Sequence, residues 1–198
     1  MRRVAILTIA VLAIPLVASP AEAGGCLGSV EISDAGYTPE TETASMPSFG
    51  GPLFCWTNNG TTAHTATSNK GFFDTGQILA KDSQGEVLPG AGRYGYHCEL
   101  HEGIAGVVKV RPLASTATAT VGDEITLYIG TGEFKGYNWD LQRKIGDGQW
   151  VTIRSAGGSQ VVVKPSRTGT FWYRARTRDF TTDEVTGWSP ARKVIVTT

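Results

Sequence analysis

Tyr96-His97-Cys98-Glu99-Leu100-His101-Glu102-Gly103-Ile104 is the stretch on which the reading of this chain turns. Cys98 and His101 stand three residues apart on one short loop, after an extended aromatic run and before the apolar run Gly106-Val107-Val108-Lys109-Val110. His64, far upstream, offers a second imidazole. One thiolate and two imidazoles, with at most a weak axial fourth donor, suit a mononuclear blue-copper electron-transfer site. His64, Cys98 and His101 are therefore candidate ligands of one copper ion. Taken singly, each has a plainer reading, since a lone cysteine is usually a small core hydrophobe. Their combination at these spacings is what favours metal. His97 neighbours Cys98 on an extended strand, so its side chain points to the opposite face. It reads as a surface histidine and not as a ligand.

Working outward, Phe54-Cys55-Trp56-Thr57-Asn58-Asn59-Gly60-Thr61-Thr62-Ala63-His64-Thr65 is an apolar strand followed by a turn that ends on the distant histidine. Phe73-Asp74-Thr75-Gly76 is a further turn, and Pro89-Gly90-Ala91-Gly92-Arg93-Tyr94-Gly95-Tyr96-His97-Cys98 leads into the ligand loop. Together with the closing run 106–110, these segments resemble the cupredoxins, the family of plastocyanin, amicyanin and pseudoazurin, over residues 29–111. One or two extra residues precede Tyr94. The resemblance implies a Greek-key β-sandwich with type 1 copper held by His64, Cys98 and His101. It also implies that Asn58 and Thr65 support the ligand loops from behind. In short-loop members the axial methionine falls three residues after the loop histidine. That position is Ile104 here, which has no donor atom. The axial ligand tunes potential more than it holds metal, so copper remains the expectation, with a raised potential.

Of the three cysteines, Cys26 and Cys55 remain once Cys98 is set aside. Cys55 lies between Phe54 and Trp56 and should face away from both. In cupredoxins the first strand, here Val30 to Ile32, neighbours the Trp56 strand, so the resemblance implies a Cys26–Cys55 disulfide; two free thiols are the alternative. Residues 1–23 read as a signal peptide, with Arg2 and Arg3 before an apolar run and a small-x-small site at Ala21-Glu22-Ala23. The apolar run is short for a membrane span. A soluble exported protein, secreted or periplasmic, is the expectation, and it suits a disulfide.

The cupredoxin domain is expected over 24–111 and a second domain over 112–198, with Pro112 at the boundary. Apolar alternation in Ile125-x-Leu127-x-Ile129, Tyr137-x-Trp139-x-Leu141 and Phe171-x-Tyr173-x-Ala175 predicts seven short strands and a second sandwich. Gly146-Asp147-Gly148 reads as a hairpin turn. Phe171-Trp172-Tyr173-Arg174-Ala175-Arg176-Thr177 and Gly187-Trp188-Ser189-Pro190 are similar to the late strands of fibronectin type III domains, an immunoglobulin-like sandwich. The fold class is thus all-β throughout.

Zero net charge conceals an asymmetry. Residues 24–111 carry nine acidic and five basic side chains, and 112–198 carry eight acidic and eleven basic ones. Arg174, Arg176 and Arg178 alternate onto one face with Trp172. They are expected to stack as a ladder on Trp172 and Trp188; an anionic cell-envelope polymer is the alternative partner. The charge is too slight and too mixed for nucleic acid.

An enzyme is not expected. Copper oxidases and nitrite reductases need a second copper site, usually marked by His-x-His pairs, and the chain has three histidines in all. A binuclear centre would need two cysteines in the ligand loop. An exported carrier of single electrons, serving a redox partner protein, is the leading expectation. The alternative is a cupredoxin, copper-binding or degenerate, that acts as an envelope binding or adhesion module.

Overall fold

The computed structural model describes residues 25–132 and 134–198, so the expected signal peptide lies outside the described residues. Every regular element among the described residues is a strand, as the alternating sequence pattern demands. The strands build two sandwiches.

The first sandwich uses residues 28–111. One sheet has the order β2 (Gly36–Thr38), β1 (Gly28–Ser33), β4 (Leu53–Asn58), β6 (Ser83–Val87). The other has the order β3 (Thr41–Ser45), β8 (Ala105–Arg111), β7 (Gly92–His97), β5 (Thr67–Ser68). Period-two burial is clean: Val30 and Ile32 on β1, Phe54 and Trp56 on β4, Tyr94 and Tyr96 on β7, and Val108 and Val110 on β8 all face inward. Trp56 stacks on Phe73 at 5.3 Å and meets the edge of Tyr96 at 5.7 Å. Such aromatic pairs each add about 0.5–1.5 kcal/mol beyond the area they bury.

Strands β1 and β4 run parallel, with Ser29 opposite Cys55. That register carries Cys26, just before β1, to Cys55, and the two form a disulfide with Cα atoms 5.8 Å apart. The alternation on β4 that buries Phe54 and Trp56 turns Cys55 to the other face, where the bridge forms.

The second sandwich pairs a five-stranded with a three-stranded sheet. The larger has the order β10 (Thr118–Thr120), β16 (Arg192–Thr197), β15 (Gly169–Asp179), β12 (Tyr137–Ile145), β13 (Val151–Gly157). The smaller has the order β14 (Gln160–Val163), β11 (Ile125–Tyr128), β9 (Leu113–Ala114). Residues 112–198 therefore hold eight strands among the described residues, where the sequence pattern predicts seven. The two-residue β9 pairs with Leu127 and Tyr128 and is too short to carry a periodic signal. Gly146 and Gly148 turn the β12–β13 hairpin, with the Gly148 N–H bonded to the Ile145 carbonyl at 3.0 Å.

The expected arginine ladder forms with a different set of rings. Arg174 lies over Trp150 at 4.2 Å and over Trp188 at 5.1 Å, while Arg176 lies over Trp188 at 4.6 Å. Trp172 is flanked instead by Lys144 and Lys193. Cross-strand register is the reason: β12 sets Lys144 opposite Trp172, Gln142 opposite Arg174 and Asp140 opposite Arg176. Asp140, buried, accepts from both Arg176 (2.7 Å) and Arg178 (2.9 Å). Burial opposes its ionisation, but the Ala156 N–H and the two guanidinium groups outweigh that and hold the carboxyl below its usual range.

The sandwiches meet along the approach to β7, and their buried side chains form one continuous core. The Ala91 N–H bonds the Ile129 carbonyl at 2.8 Å, and Arg93 and Gly187 exchange backbone bonds of 2.9 and 3.1 Å. The Thr177 hydroxyl donates to the Ala91 carbonyl at 3.1 Å and lies 3.0 Å from the Tyr94 hydroxyl. Gly90 and Gly130 form a bridge beneath the Trp139 indole, where a Cβ on Gly130 would stand 2.0 Å from the ring.

Candidate metal centre

His64 arrives on the loop that follows β4, and that loop is anchored by a polar residue at a core position. Asn58 is the last inward-facing residue of β4 and is fully buried. Its amide donates to the carbonyls of Thr62 (2.7 Å) and Ile78 (2.9 Å), and its oxygen accepts from the Gly60 N–H (2.9 Å). A buried amide so satisfied costs little and fixes the turn. Backbone bonds to Ile78 in both directions, 3.1 and 2.7 Å, then hold His64 itself.

Asp34, in the turn between β1 and β2, grips the same loop from outside. Its carboxylate accepts from the N–H and hydroxyl groups of both Thr61 and Thr62 at 2.7–3.1 Å. The hydroxyl of Thr61, then its N–H, and then the same two groups of Thr62 hold this carboxyl well below the ordinary carboxylate range. Gly60 makes the approach possible, because a Cβ there would lie 2.5 Å from the Asp34 carboxylate.

Cys98 follows directly on β7 and is buried, and the Ile104 carbonyl accepts its N–H at 3.0 Å, closing the ligand loop. Thr65 joins the two loops. Its N–H points to Cys98 Sγ at 3.4 Å, and its hydroxyl accepts from the Glu99 N–H at 2.9 Å. The Tyr37 hydroxyl donates to the Thr65 carbonyl. Burial first, then the Cys98 and Tyr96 charges, push that phenol far above its usual range, so it stays a donor at any working pH.

Three side chains then converge. Cys98 Sγ lies 3.7 Å from His64 Nδ1 and 3.5 Å from His101 Nδ1, and all three donor atoms lie within 4.8 Å of one another. Metal–sulfur and metal–nitrogen bonds of about 2.3 and 2.0 Å at open angles require S···N separations of about 3.5–3.8 Å. The spacing of this cluster therefore already fits a single ion, and a thiolate with two imidazoles is the donor set of type 1 copper. His64 and Cys98 are buried while His101 is half-buried, so the cluster reaches the surface at His101. Leu79 and Leu100 are exposed at 59% and 45%, and Glu99 and Glu102 are exposed as well.

The structure places the donor atoms of His64, Cys98 and His101 together, with Asn58 and Thr65 bonded to the loops that carry them. His97 stands outside the cluster, its Nδ1 2.7 Å from the Asn69 amide oxygen. Ile104 is half-buried against the core. Asp34 was not singled out from the sequence. The four donors of Thr61 and Thr62 need an acceptor, but nothing local points to a residue on another turn.

No protein-family model and no curated protein matches the chain. Solved structures do. A purple cupredoxin from Nitrosopumilus maritimus is 22% identical with a TM-score of 0.37, covering 41% of this chain and 97% of its own. The reduced Cu(I) form of an amicyanin variant is 21% identical with a TM-score of 0.39, covering 46% of this chain and 87% of its own. An oxidised amicyanin variant gives 21% identity and a TM-score of 0.40 over the same shares. These are likenesses at low identity to part of the chain. Among the described residues no helix is long and apolar enough to cross a membrane.

Proposed function

We propose that this protein carries single electrons on one copper ion held by His64, Cys98 and His101. The observation that supports it is the convergence of a thiolate and two imidazoles at separations that fit one ion. Copper, when bound, supplies a one-electron couple. Cys98 gives the thiolate, stabilised by the Thr65 N–H; His64 and His101 bind as neutral imidazoles through Nδ1, the atoms that face the sulfur. The loop hydrogen bonds of Asn58, Thr65 and Asp34 hold the donors in place before metal arrives, so either oxidation state meets much the same cage. Half-buried His101, beside exposed Leu100, is the proposed port for electrons to and from a redox partner protein.

Ile104 is proposed to occupy the axial side, giving no donor to the metal. Export through residues 1–23 belongs to the same reading and is supported by the Cys26–Cys55 bridge, which persists in oxidising compartments. The second sandwich is proposed to be fibronectin type III-like and to serve as a scaffold, because Arg174, Arg176 and Arg178 on its exposed face are engaged by Gln142, Asp140 and the tryptophans rather than left for a ligand.

Titration of the purified protein with Cu(II) tests the reading. One equivalent should give an intense visible thiolate-to-copper band, and Cys98→Ser should lose it. A colourless protein with weak surface-type copper signals overturns the proposal.

A further inference from the structure

We propose that Asp34 is a positioning residue for the metal centre: acting with Thr62, it fixes His64 as the tautomer protonated at Nε2 and sets a negative charge behind that ligand. The inference rests on the reading of His64, Cys98 and His101 as the copper site. The hydroxyl of Thr62 donates to Asp34 Oδ1 at 2.9 Å, so its single proton is committed. His64 Nε2 lies 3.3 Å from that hydroxyl oxygen and 3.5 Å from Asp34 Oδ1. Both neighbours present lone pairs. An unprotonated Nε2 would meet them with no hydrogen between, so Nε2 carries the proton and donates. A neutral imidazole protonated there leaves the lone pair on Nδ1, which is the atom facing Cys98 Sγ at 3.7 Å.

The same carboxylate does two things. It staples the 59–63 loop through Thr61 and Thr62, and it backs the imidazole of His64 with an anion. Carboxylates placed behind a metal-bound histidine orient the ring and raise its basicity. A more basic ligand with a nearby negative charge favours Cu(II) over Cu(I), so Asp34 lowers the reduction potential. Asp34 is 45% exposed, and solvent and salt screen part of its charge, so the effect on potential is modest.

Two readouts separate this role from a purely structural one. In copper-free protein above the imidazole titration range, nitrogen NMR should report His64 protonated at Nε2. Asp34→Asn and Thr62→Val should both give a mixture of tautomers. In copper-loaded protein, Asp34→Asn should raise the potential. Thr61→Val loosens the staple while keeping the charge and Thr62, and should lower the melting temperature with the potential unchanged. If Asp34→Asn behaves like Thr61→Val, with tautomer and potential both as in wild type, Asp34 is a loop staple only and the proposal is overturned. A wild type that takes up no copper would overturn the copper reading instead, and the tautomer measurement would still decide the assignment of Asp34.

Discussion

Ile104, half-buried beside the ligand loop, is the residue proposed to face the axial side of the metal. A thioether at that position would lend electron density to the metal; a hydrocarbon lends none and keeps water away. Both effects disfavour the more highly charged oxidation state, because an apolar surface stabilises charge poorly. Ile104→Met is therefore expected to lower the reduction potential while the protein stays blue. The change should be modest, since the thiolate and imidazoles dominate the bonding. Voltammetry on the pair checks this, and an equal or higher potential in the variant would remove Ile104 from the axial side. Cys98 and His101 are legible from the sequence because residue type and spacing on one loop carry their chemistry, whereas His64 lies far upstream and enters through the strand-and-turn pattern that leads to it. Asp34 is not legible there, since its meaning comes from the loop it touches across space.

At the scale of elements, the site depends on β1, β4 and β7 being held in register. The parallel pairing of β1 with β4 brings Cys26 to Cys55, and the bridge spans 29 residues. Closing a loop of that size in the unfolded chain stabilises the folded state by about 2–4 kcal/mol. Replacing both cysteines with alanine should thus lower the unfolding free energy by about that amount. Denaturant titration of the mature protein checks it, and an unchanged midpoint would mean the bridge adds nothing. The strands were legible because alternation is strong in Val30 to Ile32, Phe54 to Asn58 and Tyr94 to Cys98. Strand β9 was not, because two residues cannot express a period. The rings of the ladder differ from the expected set because Trp150 lies outside the strands, and because the β12–β15 and β15–β16 registers set Lys144 and Lys193, not arginines, opposite Trp172.

For the molecule as a whole, the two sandwiches share one core and a hydrogen-bonded seam along the strand that leads to Cys98. The sequence marked a boundary at Pro112 but gave no sign of the seam, which joins residues such as Ala91 and Thr177 far apart in the chain. A common core implies cooperative unfolding. Thr177→Val leaves the buried Ala91 carbonyl without its hydroxyl donor, a loss of about 1–3 kcal/mol. The denaturation midpoint should fall equally whether read from tryptophan fluorescence or from the copper chromophore. Two separate transitions would mean the sandwiches unfold independently. The central claim is that His64, Cys98 and His101 hold a copper ion that takes up and releases one electron. A potentiometric titration of the copper-loaded protein, followed through its visible band, tests that most directly. The band should bleach on reduction and return in full on reoxidation, tracing a single one-electron step at the same midpoint in both directions. A band that never forms, or copper that is lost or fails to cycle on reduction, would contradict it.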